Sequence, residues 1–367
     1  MLRINAMRIL TVIGNRPQFV KAAAVSGPLR ERHEEVLVHT GQHHDDELSS
    51  VFVRELGIPP PDRELGIAGG SNTSQTSRMM DALEPAFAES APDLVLVYGD
   101  TNSTLAGALA GAQQGLPVAH VEAGMRSFDR SMPEEVNRVL TDHLSELLLC
   151  PSQTAVDNLV REHAAGTVEL VGDVMVDVAR LFAPRARERL DVLAAHGVEA
   201  GDYLLATAHR AGTVDDPVRL RALVELLTGL PHEVVLPLHP RTRARLQDGD
   251  LLDGLQAPGS PVRLAPPLGY LEFTALLLHA RAVLTDSGGV QKEAYLAGVP
   301  CVTLRDTTEW VETVEAGWNV LVDLDAAAAR AALERPRPAE HPPLYGDGHA
   351  GERVADALTR SRARATS

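Results

Sequence analysis

Leu94-Val95-Leu96-Val97-Tyr98 runs into Gly99-Asp100-Thr101-Asn102-Ser103-Thr104 and then into Ala106-Gly107-Ala108-Leu109-Ala110-Gly111. An unbroken apolar run is the pattern of a strand covered on both faces. The polar cluster ends the strand, and the small residues after it let a helix pack closely. The same order recurs outward in both directions. The spacing predicts strands at 8–13, 35–39, 118–122, 147–150, 204–208, 234–238, 283–285 and 301–304. Helices are predicted at 18–29, 73–88, 103–114, 133–144, 217–228, 270–279 and 290–297. Strict alternation of this kind specifies parallel, doubly wound α/β sheets.

A chain of 367 residues exceeds one ordinary core and fits two domains. Residues 183–201 carry Arg, Glu and Pro but no strand, and they mark the boundary. The expected division is a Rossmann-like domain over 1–182, a second over 183–350, and a C-terminal helix and tail over 351–367. A cleft is expected between the two domains, with ligands at the carboxyl ends of the strands.

The net charge of −16 sets the field around the molecule. Such a chain repels nucleic acid and anionic membrane unless a local patch overrides the field. Cys150 and Cys301 lack metal-ligand spacing and read as reduced, small apolar residues. The apolar run at 9–13 is too short for a signal-peptide core, and no stretch reaches the roughly 20 apolar residues of a membrane span. The reading is a soluble, cytoplasmic protein. Lys21 and Lys292 are the two lysines, and both lie in loop-to-helix segments suited to a phosphate. Lys292, placed on a helix, reads by itself as a solvent-facing residue.

Three polar clusters follow predicted strands. Asp100 ends the first and by itself is a helix cap. The second runs from His120-Val121-Glu122-Ala123-Gly124-Met125-Arg126 to Met132-Pro133-Glu134-Glu135-Val136-Asn137-Arg138. Pro133 fits the first position of a helix, and Glu134 lies in its first turn, where the helix dipole favours a carboxylate. Arg138 is one turn further along, followed by Asp142; a plain surface pair of Glu134 with Arg138 is the simpler reading. Asp100, Glu122 and Glu134 nonetheless converge on one edge with Arg138, and convergent carboxylates divide into acid and base. The third cluster joins His209-Arg210, His239-Pro240-Arg241 and Asp286-Ser287-Gly288-Gly289. Ser287-Gly288-Gly289 opening a helix presents backbone N–H groups to an anion. It is neither a dinucleotide fingerprint nor a P-loop. Glu293 on that helix is suited to accept hydrogen bonds from ribose hydroxyls. His209 and His239 lack a third ligand, so no metal is expected.

Together these motifs resemble the non-hydrolysing UDP-N-acetylglucosamine 2-epimerases, a family of GT-B architecture. Gly99-Asp100-Thr101, His120-Val121-Glu122-Ala123-Gly124, Pro133-Glu134-Glu135, Asn137-Arg138 and Thr285-Asp286-Ser287-Gly288-Gly289-Val290-Gln291 occur in family order. The resemblance implies interconversion of UDP-N-acetylglucosamine and UDP-N-acetylmannosamine. UDP is eliminated across C1–C2 to leave 2-acetamidoglucal, then adds back with the proton on the other face. Neither NAD nor metal takes part, and relatives are commonly homodimers. The implied catalytic residues are Asp100, Glu122, Glu134, Arg138 and His209, with His209 near the leaving diphosphate. The implied UDP contacts are Arg16, Lys21, His239, Ser287, Gly288, Gly289 and Glu293.

The chain departs from the family pattern in places. Gln18 replaces a glutamate, Trp310-Val311 replaces Arg-Pro, Lys292 replaces a glutamate, and Ala211-Gly212-Thr213 follows His209-Arg210. Gln18 and Trp310 resemble a branch that epimerises UDP-2,3-diacetamido glucuronic acid, which is the alternative substrate. A hydrolysing epimerase would carry a fused kinase, absent here. A glycosyltransferase or a nucleotide-sugar binding protein would not need the three carboxylates. Many relatives are activated by UDP-N-acetylglucosamine bound beside the active site. The matching segment here reads Gln42-His43-His44-Asp45-Asp46, and the arginine expected further on is missing from 68–73. Activation is therefore expected to be absent unless Arg63 or Arg78 substitutes.

Overall fold

The computed structural model of the chain describes residues 6–42 and 57–365. Two compact units form: residues up to Leu181 joined by Pro343 onward, and Phe182–Pro342. Both are parallel α/β sheets, as the alternation specifies.

The first unit's strands are β1 Arg8–Ile13, β2 Glu34–His39, β3 Arg63–Glu64, β4 Leu94–Tyr98, β5 Val118–Val121, β6 Leu147–Cys150 and β7 Thr167–Leu170. They pair in the order β3-β2-β1-β4-β5-β6-β7. The order reverses between β1 and β4, so the turns after these strands flank the topological switch point, where doubly wound sheets bind ligands. The Asn102–Gln113 helix lies over both strands. A Cβ at Gly107 would come within 3.1 Å of Val12 and Val97 side chains, which is why small residues fill this helix. Leu10, Val12, Val95, Val97, Ala106 and Ala108 share the core beneath it.

The second unit repeats the plan. Its strands are β8 Tyr203–Thr207, β9 Glu233–Pro237, β10 Val262–Ala265, β11 Ala282–Thr285, β12 Cys301–Thr303 and β13 Asn319–Leu321. The order is β10-β9-β8-β11-β12-β13, with its switch point between β8 and β11. Leu204, Leu236, Leu284 and Val302 form the core with Leu223 and Leu227 of the Pro217–Thr228 helix.

The strands β3, β7, β10 and β13 were not expected from the sequence, and all four are sheet edges. Edge strands pair on one side only and keep exposed residues; Leu170 of β7 is 52% exposed. They therefore lack the apolar run that marks the central strands.

The last helix, Ala350–Ala365, returns to the first unit. The Asp177 carboxylate accepts from the N–H groups of Ala350 at 3.1 Å and Gly351 at 2.8 Å, holding its start. Arg32 pairs with Asp356 at 3.1 Å, and the His33 ring meets Thr359 Oγ1 at 2.9 Å. Among the described residues no helix is long and apolar enough to cross a membrane.

Candidate active site

Asp100 lies in the turn after β4, and Glu122 follows β5. The Gly99 N–H donates to the Val121 carbonyl at 3.0 Å, which holds the two turns side by side. The Lys21 ammonium, from the Arg16–Arg32 helix, donates to Glu122 Oε2. A Cβ at position 99 would lie 3.2 Å from Lys21 Nζ and 3.3 Å from Glu122 Oε2, so the ion pair sits over the Gly99–Asp100 turn. Glu122 itself has φ 70°, a left-handed conformation that a non-glycine residue adopts at a cost. Such strain persists where the surroundings fix the side chain's direction.

Pro133 opens the Pro133–Leu144 helix as expected, and the helix docks on the Asp100 turn. Asn137 Nδ2 donates to the Asp100 carbonyl at 3.0 Å, and Arg138 Nη2 donates to the Asp100 carboxylate. The Arg138 partner on its own helix is Glu135, at 2.9 Å, rather than Glu134. Glu135 is 1% exposed and also accepts from the N–H groups of Ser127 and Phe128. Glu134 stands exposed in the first turn. Asp100 and Glu122 thus each carry a cation partner, a division the sequence reading did not include.

Behind these groups lies a buried ionic network. Asp142 is fully buried and accepts from Arg126 Nη1 at 2.7 Å and from the Gly124 N–H at 3.1 Å. The His120 ring bridges Asp142 Oδ1 and the Gly99 carbonyl, 2.7 Å from each. One carboxylate thereby ties down both the Gly99–Asp100 and the Glu122–Gly124 turns. Burial pushes the Asp142 carboxyl up, but His120 and Arg126 outweigh it and hold the group below the usual carboxylate range. Arg126 also makes a two-pronged pair with Glu162, at 2.8 and 2.6 Å. Gly124 has φ 80°, and a Cβ there would fall 2.2 Å from the Ala155 carbonyl oxygen. Only glycine fits this turn.

Gln18 explains one departure from the family pattern. It is buried; its Oε1 accepts from the Gly14 N–H at 2.7 Å, and its Nε2 donates to the Tyr98 carbonyl at 2.7 Å and to Thr104 at 2.9 Å. An amide can serve both sides, while a glutamate has no proton for the Tyr98 carbonyl when ionised. Gln18 therefore ties the start of the Arg16–Arg32 helix and the Gly14 backbone before it to the end of β4.

In the second unit the Asp286 carboxylate follows β11 and is fully buried. It accepts from the N–H of His209 at 3.0 Å and of Arg210 at 2.9 Å, fixing the turn after β8. The His209 ring is 42% exposed and lies 5.6 Å from the His239 ring. His239 Nδ1 accepts from the Arg241 N–H at 3.1 Å and caps the Pro240–Asp248 helix. Ser287 is the N-cap of the Gly288–Leu296 helix, and its side chain makes no capping hydrogen bond. Such an N-terminus suits an anion. Glu293 lies half-buried on the same helix. Among the described residues no group of three or more His, Cys, Asp or Glu side chains is placed to hold a metal ion.

Lys292 is not solvent-facing. It is 3% exposed, with its ammonium 4.4 Å from the centre of the Trp310 ring, a cation–π contact. Lys292 and Trp310, two departures from the family pattern, thus touch each other. Nearby, Glu309 is held by Arg305 at 2.9 Å and Arg210 at 3.1 Å. Burial raises the Glu309 carboxyl, and the two arginines overcome it and keep the group below its ordinary range.

Of the activator-site expectations, His43, His44, Asp45 and Asp46 lie outside the described residues. Arg63 is engaged with Glu89 at 2.8 Å, and Arg78 donates to the Ala68 carbonyl at 3.1 Å and to that of Gly69.

The UDP-N-acetylglucosamine 2-epimerase family model matches residues 29–359. The chain is 47% identical to UDP-2,3-diacetamido-2,3-dideoxy-D-glucuronate 2-epimerase of Pseudomonas aeruginosa, over 96% of this chain and all of that one. It is 39% identical to the UDP-N-acetylglucosamine 2-epimerase of Methanocaldococcus jannaschii, over 96% of this chain and 99% of the relative. The crystal structure of the Methanocaldococcus jannaschii enzyme in complex with UDP-GlcNAc and UDP superposes with a TM-score of 0.89 at 38% identity, covering 96% of this chain and all of that one. The structure of the Neisseria meningitidis enzyme bound to UDP-GlcNAc gives 0.86 at 30% identity, over 96% and 100% of the two chains. By its sequence and by the superposition of its fold, the chain belongs to the UDP-N-acetylglucosamine 2-epimerase family.

Proposed function

We propose that the chain is a non-hydrolysing 2-epimerase that interconverts UDP-N-acetylglucosamine and UDP-N-acetylmannosamine by anti elimination and re-addition of UDP. The observation that carries this reading is the pair of cation-bound carboxylates, Glu122 with Lys21 and Asp100 with Arg138, set side by side after β4 and β5. The C2 proton has no neighbouring carbonyl and is too weakly acidic for simple removal. Elimination solves this: a carboxylate takes the C2 proton while the C1–O bond breaks and UDP leaves with the electron pair. A second carboxylic acid returns the proton to C2 from the opposite face as UDP attacks C1. Asp100, Glu122 and Glu134 supply the carboxylates. Arg138 orients Asp100. Arg16, His209, His239, Glu293 and the N–H groups at Ser287–Gly289 hold UDP, and the donors among them offset the diphosphate charge.

Incubation with UDP-N-acetylglucosamine in D2O, followed by proton NMR, tests this. The expected result is deuterium at C2 and a UDP-linked manno product. Free sugar in place of UDP-sugar would show hydrolysis, and an unchanged spectrum would show that this is not the substrate.

A second reading is epimerisation of UDP-2,3-diacetamido-2,3-dideoxy-D-glucuronate. The relative of that name at 47% identity favours it, as do the Gln18 bridge and the Lys292–Trp310 contact. Comparing kcat/KM for the two UDP-sugars in the same assay separates the readings.

The expected lack of activation also has a direct assay. The engagement of Arg63 with Glu89 and of Arg78 with the 68–69 carbonyls supports that expectation. Reverse turnover from the manno epimer is expected to start linearly. A lag abolished by a trace of the gluco epimer would overturn this.

A further inference from the structure

The second unit holds a cavity of about 310 Å³ away from the residues assigned to the reaction. Ala282 and Cys301, the first residues of β11 and β12, line it, whereas His209, Asp286 and Ser287 follow the carboxyl ends of β8 and β11. Its size is at the small end of the roughly 300–1,000 Å³ of small-molecule sites. The lining includes Arg281, Arg335 and Arg337 and no carboxylate.

That composition is unusual for this chain. Asp and Glu number 50 against 34 Lys and Arg, so acidic partners are plentiful. Arg8, Arg30, Arg219 and Arg263 are paired with Glu34, Glu35, Asp323 and Glu233. Among the described residues Arg281, Arg335 and Arg337 have no ion pair, although the exposed carboxylates Asp202 and Glu334 are close in sequence to lining residues. Three like charges around one concavity repel one another, and an anion between them relieves that cost.

The frame is also stiff. Arg335-Pro336-Arg337-Pro338 alternates proline with arginine; each ring fixes its own φ and biases the arginine before it toward an extended backbone. Trp318, 7% exposed, forms an apolar wall and is anchored by its Nε1 donating to the Glu340 carbonyl at 2.9 Å. Planar guanidinium forks match phosphate oxygens two at a time. We propose that this cavity is a binding site for a small phosphate-bearing anion, held by Arg281, Arg335 and Arg337 with any uncharged portion against Trp318.

The test is isothermal titration of inorganic diphosphate into the full chain carrying Arg16→Ala and His209→Ala, which disable the proposed nucleotide contacts without adding a competing phosphate ligand, turnover being read in the otherwise wild-type chain. One site is expected, weakening as salt rises. Arg281→Gln, Arg335→Gln and Arg337→Gln should each weaken it roughly tenfold, as loss of a charge-assisted hydrogen bond does. The triple variant should abolish it while epimerase turnover is unchanged, since all three side chains are exposed and lie outside the catalytic set. Inorganic phosphate and phenyl phosphate form two further arms. Tighter binding of phenyl phosphate assigns the site to a phosphate ester whose ring meets Trp318; equal binding assigns it to the free anion. Diphosphate binding that survives the triple variant would overturn the proposal, as would the absence of heat with every probe or displacement of diphosphate by an acidic peptide at lower concentration. Because the readout depends on these three arginines, it stands even if the UDP-sugar reading fails.

Discussion

Replacing Glu122 by glutamine is expected to lower turnover by roughly 10²–10⁴-fold, the usual range for a lost acid–base group, with UDP affinity largely kept. The amide keeps the size of the side chain and can still accept from Lys21, so the turn after β5 should hold its shape. What disappears is the carboxylate proposed to transfer the proton, held in a direction fixed by a left-handed backbone and an ammonium partner. Asp100→Asn and Glu134→Gln are expected to act on the same scale. Asp100 loses the anion that Arg138 is aligned to hold, and Glu134 loses the exposed carboxylate at the helix start. The check is kcat and KM for each variant beside UDP titration. Near wild-type turnover in any one of them removes that residue from the mechanism.

Asp142→Ala is expected to destabilise the first unit by about 3–5 kcal/mol, the range for removing one partner of a buried ion pair. The change removes one of the two carboxylate partners of the buried Arg126 guanidinium, leaving Glu162, and deprives the His120 ring and the Gly124 N–H of their shared acceptor. The chain's two tryptophans, Trp310 and Trp318, both lie in the second unit, so indole fluorescence would miss the effect. Hydrogen exchange at the amides of residues 118–144 reports it directly. The sign with pH follows from the depressed folded pKa of Asp142. Its contribution is complete above the unfolded carboxylate value of about 3.9 and is lost as pH falls through the lower folded value. The gap between wild type and variant should therefore be constant through neutral pH and close in strong acid. Unchanged exchange protection in the variant would refute the account.

The centre of each sheet was legible because a strand covered on both faces must be apolar along its length. β4 and the helices Pro133–Leu144, Pro217–Thr228 and Tyr270–His279 fall at the expected residues. The edges were not legible, since half-exposed strands such as β7 carry no such run. Asp100, Glu122 and His209 could be found because a polar residue at the end of an apolar strand is conspicuous. Glu135, His120, Arg126 and Asp142 were harder: each is bonded inside the protein, Glu135 to Arg138 on its own helix, and Asp142 to His120 and Arg126 from other elements. A signal did exist. Glu135, Arg138, Val139 and Asp142 recur at helical three- and four-residue spacing, which marks one face, and that face proves to be the buried one. Reading Glu134–Arg138–Asp142 as the face missed it by one residue at the start.

The return of the Ala350–Ala365 helix to the first unit has a consequence for biosynthesis. On the ribosome, residues 182–342 emerge as one continuous segment and contain every strand of their sheet. The unit translated first lacks its final helix until residues 350–365 have left the exit tunnel, so Asp177 and the Arg32–His33 end of the first helix wait without their partners. The usual N-terminal-first order of co-translational folding is therefore inverted at completion, and the nascent first unit is the form that presents uncovered surface to chaperones.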